Sequence, residues 1–137
     1  MEACAAFCRD LHRSYPQAIV VSGGAKGIDL TAERTWYQLG GQVWSYRSKK
    51  LAEGKFVVER WEYRKGGSIT RYPLHSEPSW ADFASANWYR SMLVAELADR
   101  IVAFHGSNTM RGTEFTVWVA REAERKPVHI WKDGAWA

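Results

Sequence analysis

The sequence predicts an α/β fold: one domain with an open, mainly parallel sheet, helices on both faces and an inserted β-hairpin arm. Three observations predict it. An apolar run from Ala18 to Val21 stops at Ser22-Gly23-Gly24, and beyond Gly27 the apolar residues Ile28, Leu30, Ala32, Trp36 and Leu39 fit a helix face. Short apolar runs at 43–46, 101–104 and 128–131 alternate with helical stretches, the order that gives parallel βαβ units. Two β-rich runs flank Lys65-Gly66-Gly67, a hairpin signal.

The elements follow in order. Glu2 to Arg13 reads as a helix whose apolar stripe is Ala3, Cys4, Phe7, Cys8 and Leu11, and Pro16 ends it. Ala18 to Ser22 is a buried strand, followed by the glycine loop and a helix from about Asp29 to Leu39 that Gly40-Gly41 closes. Val43 to Tyr46 is a short second strand, and Lys49 to Gly54 is charged loop. The hairpin, about 55–74, carries enough charge to read as an exposed arm and not as a central strand. After the loop from Pro73 to Pro78, Ser79-Trp80-Ala81-Asp82 resembles a capping box and opens a helix to about Ala98. Ile101 to Phe104 is the third strand, Gly112-Thr113 opens a helix to about Arg125, and Val128 to Trp131 is the last strand.

Composition narrows the class. A chain of 137 residues with 46% hydrophobic and 25% charged residues builds one ordinary core. No apolar run approaches the roughly 18–20 residues that span a bilayer, and the N-terminus lacks the basic flank of a signal peptide. A cytoplasmic protein with no membrane partner is expected. Cys4 and Cys8 share a helix face with Leu11, which suits burial better than a disulfide. With His12, His75, His105 and His129 they form no ligand-spaced cluster, so no metal is expected. The net charge of +4 favours anionic partners. Most of the eight tryptophans are expected in the core, with Trp61, Trp80 and Trp88 as candidates for other roles.

The glycine loop is the first candidate site. Glycines allow positive φ and close backbone approach, and the free N–H groups at a helix start favour an anion by roughly 0.3–1 kcal/mol from the dipole alone. The same glycines also suit a tight βα turn with no ligand, and spacing alone does not separate the two.

These residues resemble a family. Val20-Val21-Ser22-Gly23-Gly24-Ala25-Lys26-Gly27-Ile28-Asp29 is similar to the signature loop of the SLOG superfamily, which includes DNA-processing protein A and Lonely Guy proteins. Arg90, with Asp99 nine residues later and just before the strand at 101–104, matches the family's helix-to-strand junction. Arg111-Gly112-Thr113-Glu114 resembles the Gly-Thr helix start after that strand, and Lys126-Pro127-Val128 the lead into the final one. The resemblance spans Ala18 to Trp131 but not the hairpin region. The family's first strand, which ends in a Gly-Ser-Arg-like turn, has no counterpart here. Ser91 stands where many relatives have Asn, and Glu114 is not followed by the second Glu of the Lonely Guy run.

The resemblance implies a Rossmann-like fold and a nucleotide-like small molecule as partner, with no cofactor. It places ligand contacts at Ser22, Gly23, Gly24, Ala25, Lys26, Gly27, Asp29, Arg90, Arg111, Gly112 and Thr113. In an open α/β sheet, two helix N-termini beyond the strands' carboxyl ends would face one crevice, with Arg90 forking onto a phosphate. Arg90 equally suits a surface helix position paired with a neighbouring acid. Three functions are open. The chain is a module that binds a nucleotide or nucleotide-derived phosphate. Alternatively it is a phosphoribohydrolase that cleaves an N-glycosidic bond, with Arg90 and Glu114 as the catalytic pair, although Glu114 also suits a helix's first turn. The third is a single-stranded DNA binder that uses Arg60, Trp61, Tyr63, Arg64, Lys65, Arg71 and Tyr72. The same arm equally suits packing on another subunit, and a homo-oligomer is expected.

Overall fold

The structure, a computed structural model, describes residues 2–24, 27–73, 79–104, 111–132 and 135–136, without the side chains of 73, 111–114 and 132. Helix α1 (Glu2–Ser14) precedes β1 (Ile19–Ser22), α2 (Ile28–Gln38) and β2 (Gln42–Lys50). Strands β3 (Phe56–Tyr63) and β4 (Ile69–Pro73) follow, joined through a 3-10 turn at Lys65–Gly67. Then come α3 (Phe83–Leu97), β5 (Ile101–Phe104), α4 (Arg111–Trp118), β6 (Val128–Lys132) and β7 (Ala135–Trp136). A π-helical turn, Val119–Ala123, extends α4.

The chain is α/β, but its strands form two sheets and not one open sheet. The first has the order β1-β2-β3-β4 and the second β5-β6-β7. Each is built on one parallel pair from a strand-helix-strand unit, β1 with β2 across α2 and β5 with β6 across α4. Among the described residues every other pairing is antiparallel, so the expectation of a mainly parallel sheet fails. The cause is the hairpin. Strand β2 runs on to Lys50 through the stretch expected as charged loop, and β3 pairs with it from Glu62 back to Phe56. The segment expected as an exposed arm is therefore part of the sheet, with β3 between β2 and β4. Its charges are tolerated because they pair with one another, as Arg60 and Arg64 do with Glu62.

Helices cover both faces of the first sheet. Successive side chains on a strand alternate in direction. Ser45 of β2 bonds to Glu33 on α2, whereas Ser48, of opposite parity, bonds to Asn87 on α3. Helix α3 starts at Phe83, later than the expected box. Its cap is Asp82, whose carboxylate accepts from the Ser85 N–H at 2.7 Å.

Two apolar clusters form the core. The larger joins Cys4 and Cys8 of α1, Trp36, Val43 and Phe104, so both thiols are buried as expected. Phe7 of α1 meets Phe104 of the second sheet edge-on at 6.1 Å, which ties the sheets together through that helix. The smaller holds Ala95, Ile101, Val119 and Ala120. The tryptophans follow the expectation in part. Trp36 is fully buried, with its indole N–H on the Ala18 carbonyl, Trp131 packs against the larger cluster, and Trp88, set apart from the core by the sequence, is 42% exposed; Trp118 and Trp136, expected in the core, are each more than 40% exposed. Among the described residues no helix is long and apolar enough to cross a membrane.

Candidate functional site

Strand β1 stops at Ser22, opposite Ser45, while β2 continues to Lys50. Past Ser22 the side of β2 that β1 vacates is taken by the glycine loop and the first half of α3. Together they enclose a cleft of about 340 Å³ lined by Gly23, Gly24, Arg47, Ser48, Phe83, Asn87 and Arg90. That volume is at the lower end of the range for small-ligand sites.

Two guanidiniums press against the loop. A Cβ on Gly23 would lie 3.0 Å from Arg90 Nε, and one on Gly24 only 2.3 Å from Arg47 Nε. Gly24 also has φ of +69°, so this position is closed to other residues on two counts. Arg90 Nε is buried without a hydrogen-bond partner. Burial pulls the Arg90 guanidinium below its ordinary value; Asp29 opposes that shift and Arg47 adds to it. A cation desolvated in this way and left with an idle donor gains from an anion.

Arg47 is held from behind. Its Nε donates to Ser45 Oγ at 2.9 Å and its Nη2 to Glu33 Oε1 at 3.0 Å, and the guanidinium stacks on Trp61 at 4.4 Å. Glu33 has no exposed surface. It also accepts from Ser22 Oγ at 2.6 Å, Ser45 Oγ at 2.9 Å and the Tyr63 hydroxyl at 2.5 Å. Burial, followed by the bond to Glu33, pushes Tyr63 up to about 12. On the other wall Ser48 Oγ donates to Asn87 Oδ1 at 2.7 Å, which leaves the amide nitrogen to donate elsewhere. Phe83, half exposed, lies at the mouth with its edge toward Phe56.

The expected site residues divide accordingly. Gly23, Gly24 and Arg90 come together in the cleft, with Asp29 close to both Gly23 and Arg90. Ser22 turns inward: its buried hydroxyl donates to Glu33 and accepts from the Gly24 N–H at 3.0 Å. That N–H, expected to face a ligand, is thus engaged within the loop. Gly27 is exposed at the start of α2 and does not line the cleft. Ala25 and Lys26 lie outside the described residues, as do the side chains of Arg111, Gly112, Thr113 and Glu114 at the start of α4.

Sequence reasoning missed Arg47, Ser48, Asn87 and Phe83. Continuing the strand past Tyr46 would have found the first two, because Arg47 and Ser48 extend its alternation. Asn87 and Phe83 stand one and two helical turns before Arg90, on the same side of α3. The hairpin's rings, expected to stack bases, carry the protein's own guanidiniums. Arg47 and Arg71 lie over Trp61, and Arg60 and Arg64 over Tyr72. Comparison of the chain with protein-family models, curated proteins and solved structures gives no match, so the functional reading rests on the cleft itself.

Proposed function

We propose that the chain binds a nucleotide or nucleotide-derived phosphate ligand in the cleft between the glycine loop and α3. One observation carries this reading: Arg47 and Arg90 converge on Gly23 and Gly24, and Arg90 keeps a buried nitrogen with no acceptor. With Asn87, the cleft is lined mainly by donors, which asks for an anion rich in acceptors, and a phosphate accepts from two guanidiniums at once. The rest of the cleft, with the Phe83 ring at its mouth, suits a sugar and a flat base. The resemblance of the glycine loop and Arg90 to the SLOG superfamily points the same way. Hydrolysis with Arg90 and Glu114 as the pair rests on a side chain outside the described residues, so binding is the reading that the described residues support.

Calorimetry with nucleoside monophosphates and the matching nucleosides tests it. Arg90→Ala weakens the monophosphate by roughly 1.5–3 kcal/mol and leaves the nucleoside nearly unchanged. Equal losses for both would remove Arg90 from the phosphate site.

A further inference from the structure

We infer that two copies of this chain pack together through α3 and α4, with Trp88, Phe115 and Trp118 of each copy at the centre of a two-fold contact. This stands apart from the cleft and does not rest on its ligand.

Three rings form a row across the two helices. Phe115 of α4 packs against the smaller apolar cluster. The Trp88 ring of α3 meets it edge-on at 4.5 Å, and the Trp118 ring, three residues along α4, stacks on it at 6.4 Å. Both indoles are open to solvent, Trp118 at 58%. Trp88 stands between Asn87 and Arg90 in sequence but turns to α4, so the row lies outside the cleft. Two half-bare indoles on one phenyl ring make a contiguous apolar patch, the kind of surface that marks a contact with another molecule. Tryptophan is also the side chain that most often carries the energy of such contacts. A row of rings is, moreover, its own complement across a two-fold axis.

The charges beside the row identify the occupant. Glu96 comes two turns after Trp88 on α3, and Arg121 and Glu122 come one turn after Trp118. All three are exposed, and none has an ion pair among the described residues. Carboxylates here repel the phosphates of a nucleic acid or an anionic membrane, whose partner helices carry a basic rim. Both signs on one patch are instead answered by the same patch on a second copy, where each arginine faces carboxylates of the other chain. The chain carries a net charge of +4, so two copies repel over much of their surface but not at this mixed rim. The hairpin, which the sequence offered as a subunit contact, instead stacks its rings on its own arginines.

Sedimentation velocity on the intact chain at tens of micromolar decides it. Wild-type protein should move as a species of twice 15.7 kDa. Trp118→Ala should weaken self-association at least about tenfold and leave the melting temperature unchanged, because that side chain is mostly outside the core. Charge reversal gives the sharper arm. Arg121→Glu makes the three rim charges all acidic, and Glu96→Arg combined with Glu122→Arg makes them all basic. Each of these proteins alone should be monomeric, and an equimolar mixture of the two should form the dimer again. A wild-type chain that stays monomeric overturns the proposal. So does a dimer that survives Trp118→Ala, or a mixture of the two folded charge variants that fails to associate.

Discussion

A carboxylate with no exposed surface has to be held by donors, and Glu33 is held by two serines, an arginine and a tyrosine drawn from β1, β2 and β3. Removing one member of such a buried group leaves the rest unpaired in a low dielectric, which typically costs about 3–5 kcal/mol. Glu33→Ala should therefore lower unfolding free energy by about that amount in a denaturant titration. It should also weaken phosphate binding, because Arg47 loses the anchor that aims it at Gly24. Tyr63 has a pH signature. Its hydroxyl, raised to about 12, favours the folded state fully below the unfolded value near 10, and that contribution is lost as pH rises toward 12. Tyr63→Phe should flatten the alkaline fall in stability between those limits, read from melting temperatures across the range. None of this could be read from the sequence. An acid inside an amphipathic helix normally faces water, and periodicity favoured Leu39, which is in fact 37% exposed.

Among the elements, legibility followed length and local signal. The helices α1 and α2 announced themselves through apolar stripes, and the glycines after α2 close it as read, Gly40 at φ of +90°. Strand β2 did not, because Arg47, Lys49 and Lys50 look like loop until β3 is present to pair with them. The start of α3 was placed several residues early for a related reason. Four residues in a row offered a capping pattern, and only the bond from Ser85 to Asp82 shows which one caps. That cap matters to the site, because Phe83 follows it directly and Asn87 comes one turn on. Hydrogen bonds from Ser85 hold the Asp82 carboxyl below its usual value, so its stabilising effect is present above about pH 4 and is lost as pH falls. Asp82→Ala should fray the first turn of α3, seen as faster amide exchange over 83–87, and should remove that acid dependence. Exchange unchanged at neutral pH would show that packing alone fixes the start of the helix.

At the scale of the molecule, the sequence order of strands and helices showed an α/β chain but not its division into two sheets, since order along the chain does not specify which strand edges meet. Helix α3 connects the halves. Its first turns present Phe83, Asn87 and Arg90 to the cleft, while Ala95 near its end packs with Ile101, Val119 and Ala120. Lys126 fastens that end by donating to the Ala95 and Glu96 carbonyls. The larger cluster takes Phe104 of β5 and Trp131 of β6, whereas the smaller one, with α4 and the end of α3, stands apart from the first sheet and is expected to open separately. Hydrogen exchange should show α4 and the end of α3 exchanging together and at a different free energy from β1 to β4. A saturating phosphate ligand should then slow exchange in both groups, and slowing confined to the first sheet would contradict the bridging role of α3.

Proteases cut what opens. If α3 must release the glycine loop before the second sheet can detach, then whatever fills the cleft also governs how long the chain survives digestion. At a hundred times its dissociation constant, a ligand that binds only the closed form shifts that opening by about 2.7 kcal/mol, close to a hundredfold in the population exposed to cleavage. If the cleft holds the phosphate ligand proposed for it, the packing of α3 against the glycine loop would make the lifetime of this protein under digestion depend on the concentration of that ligand.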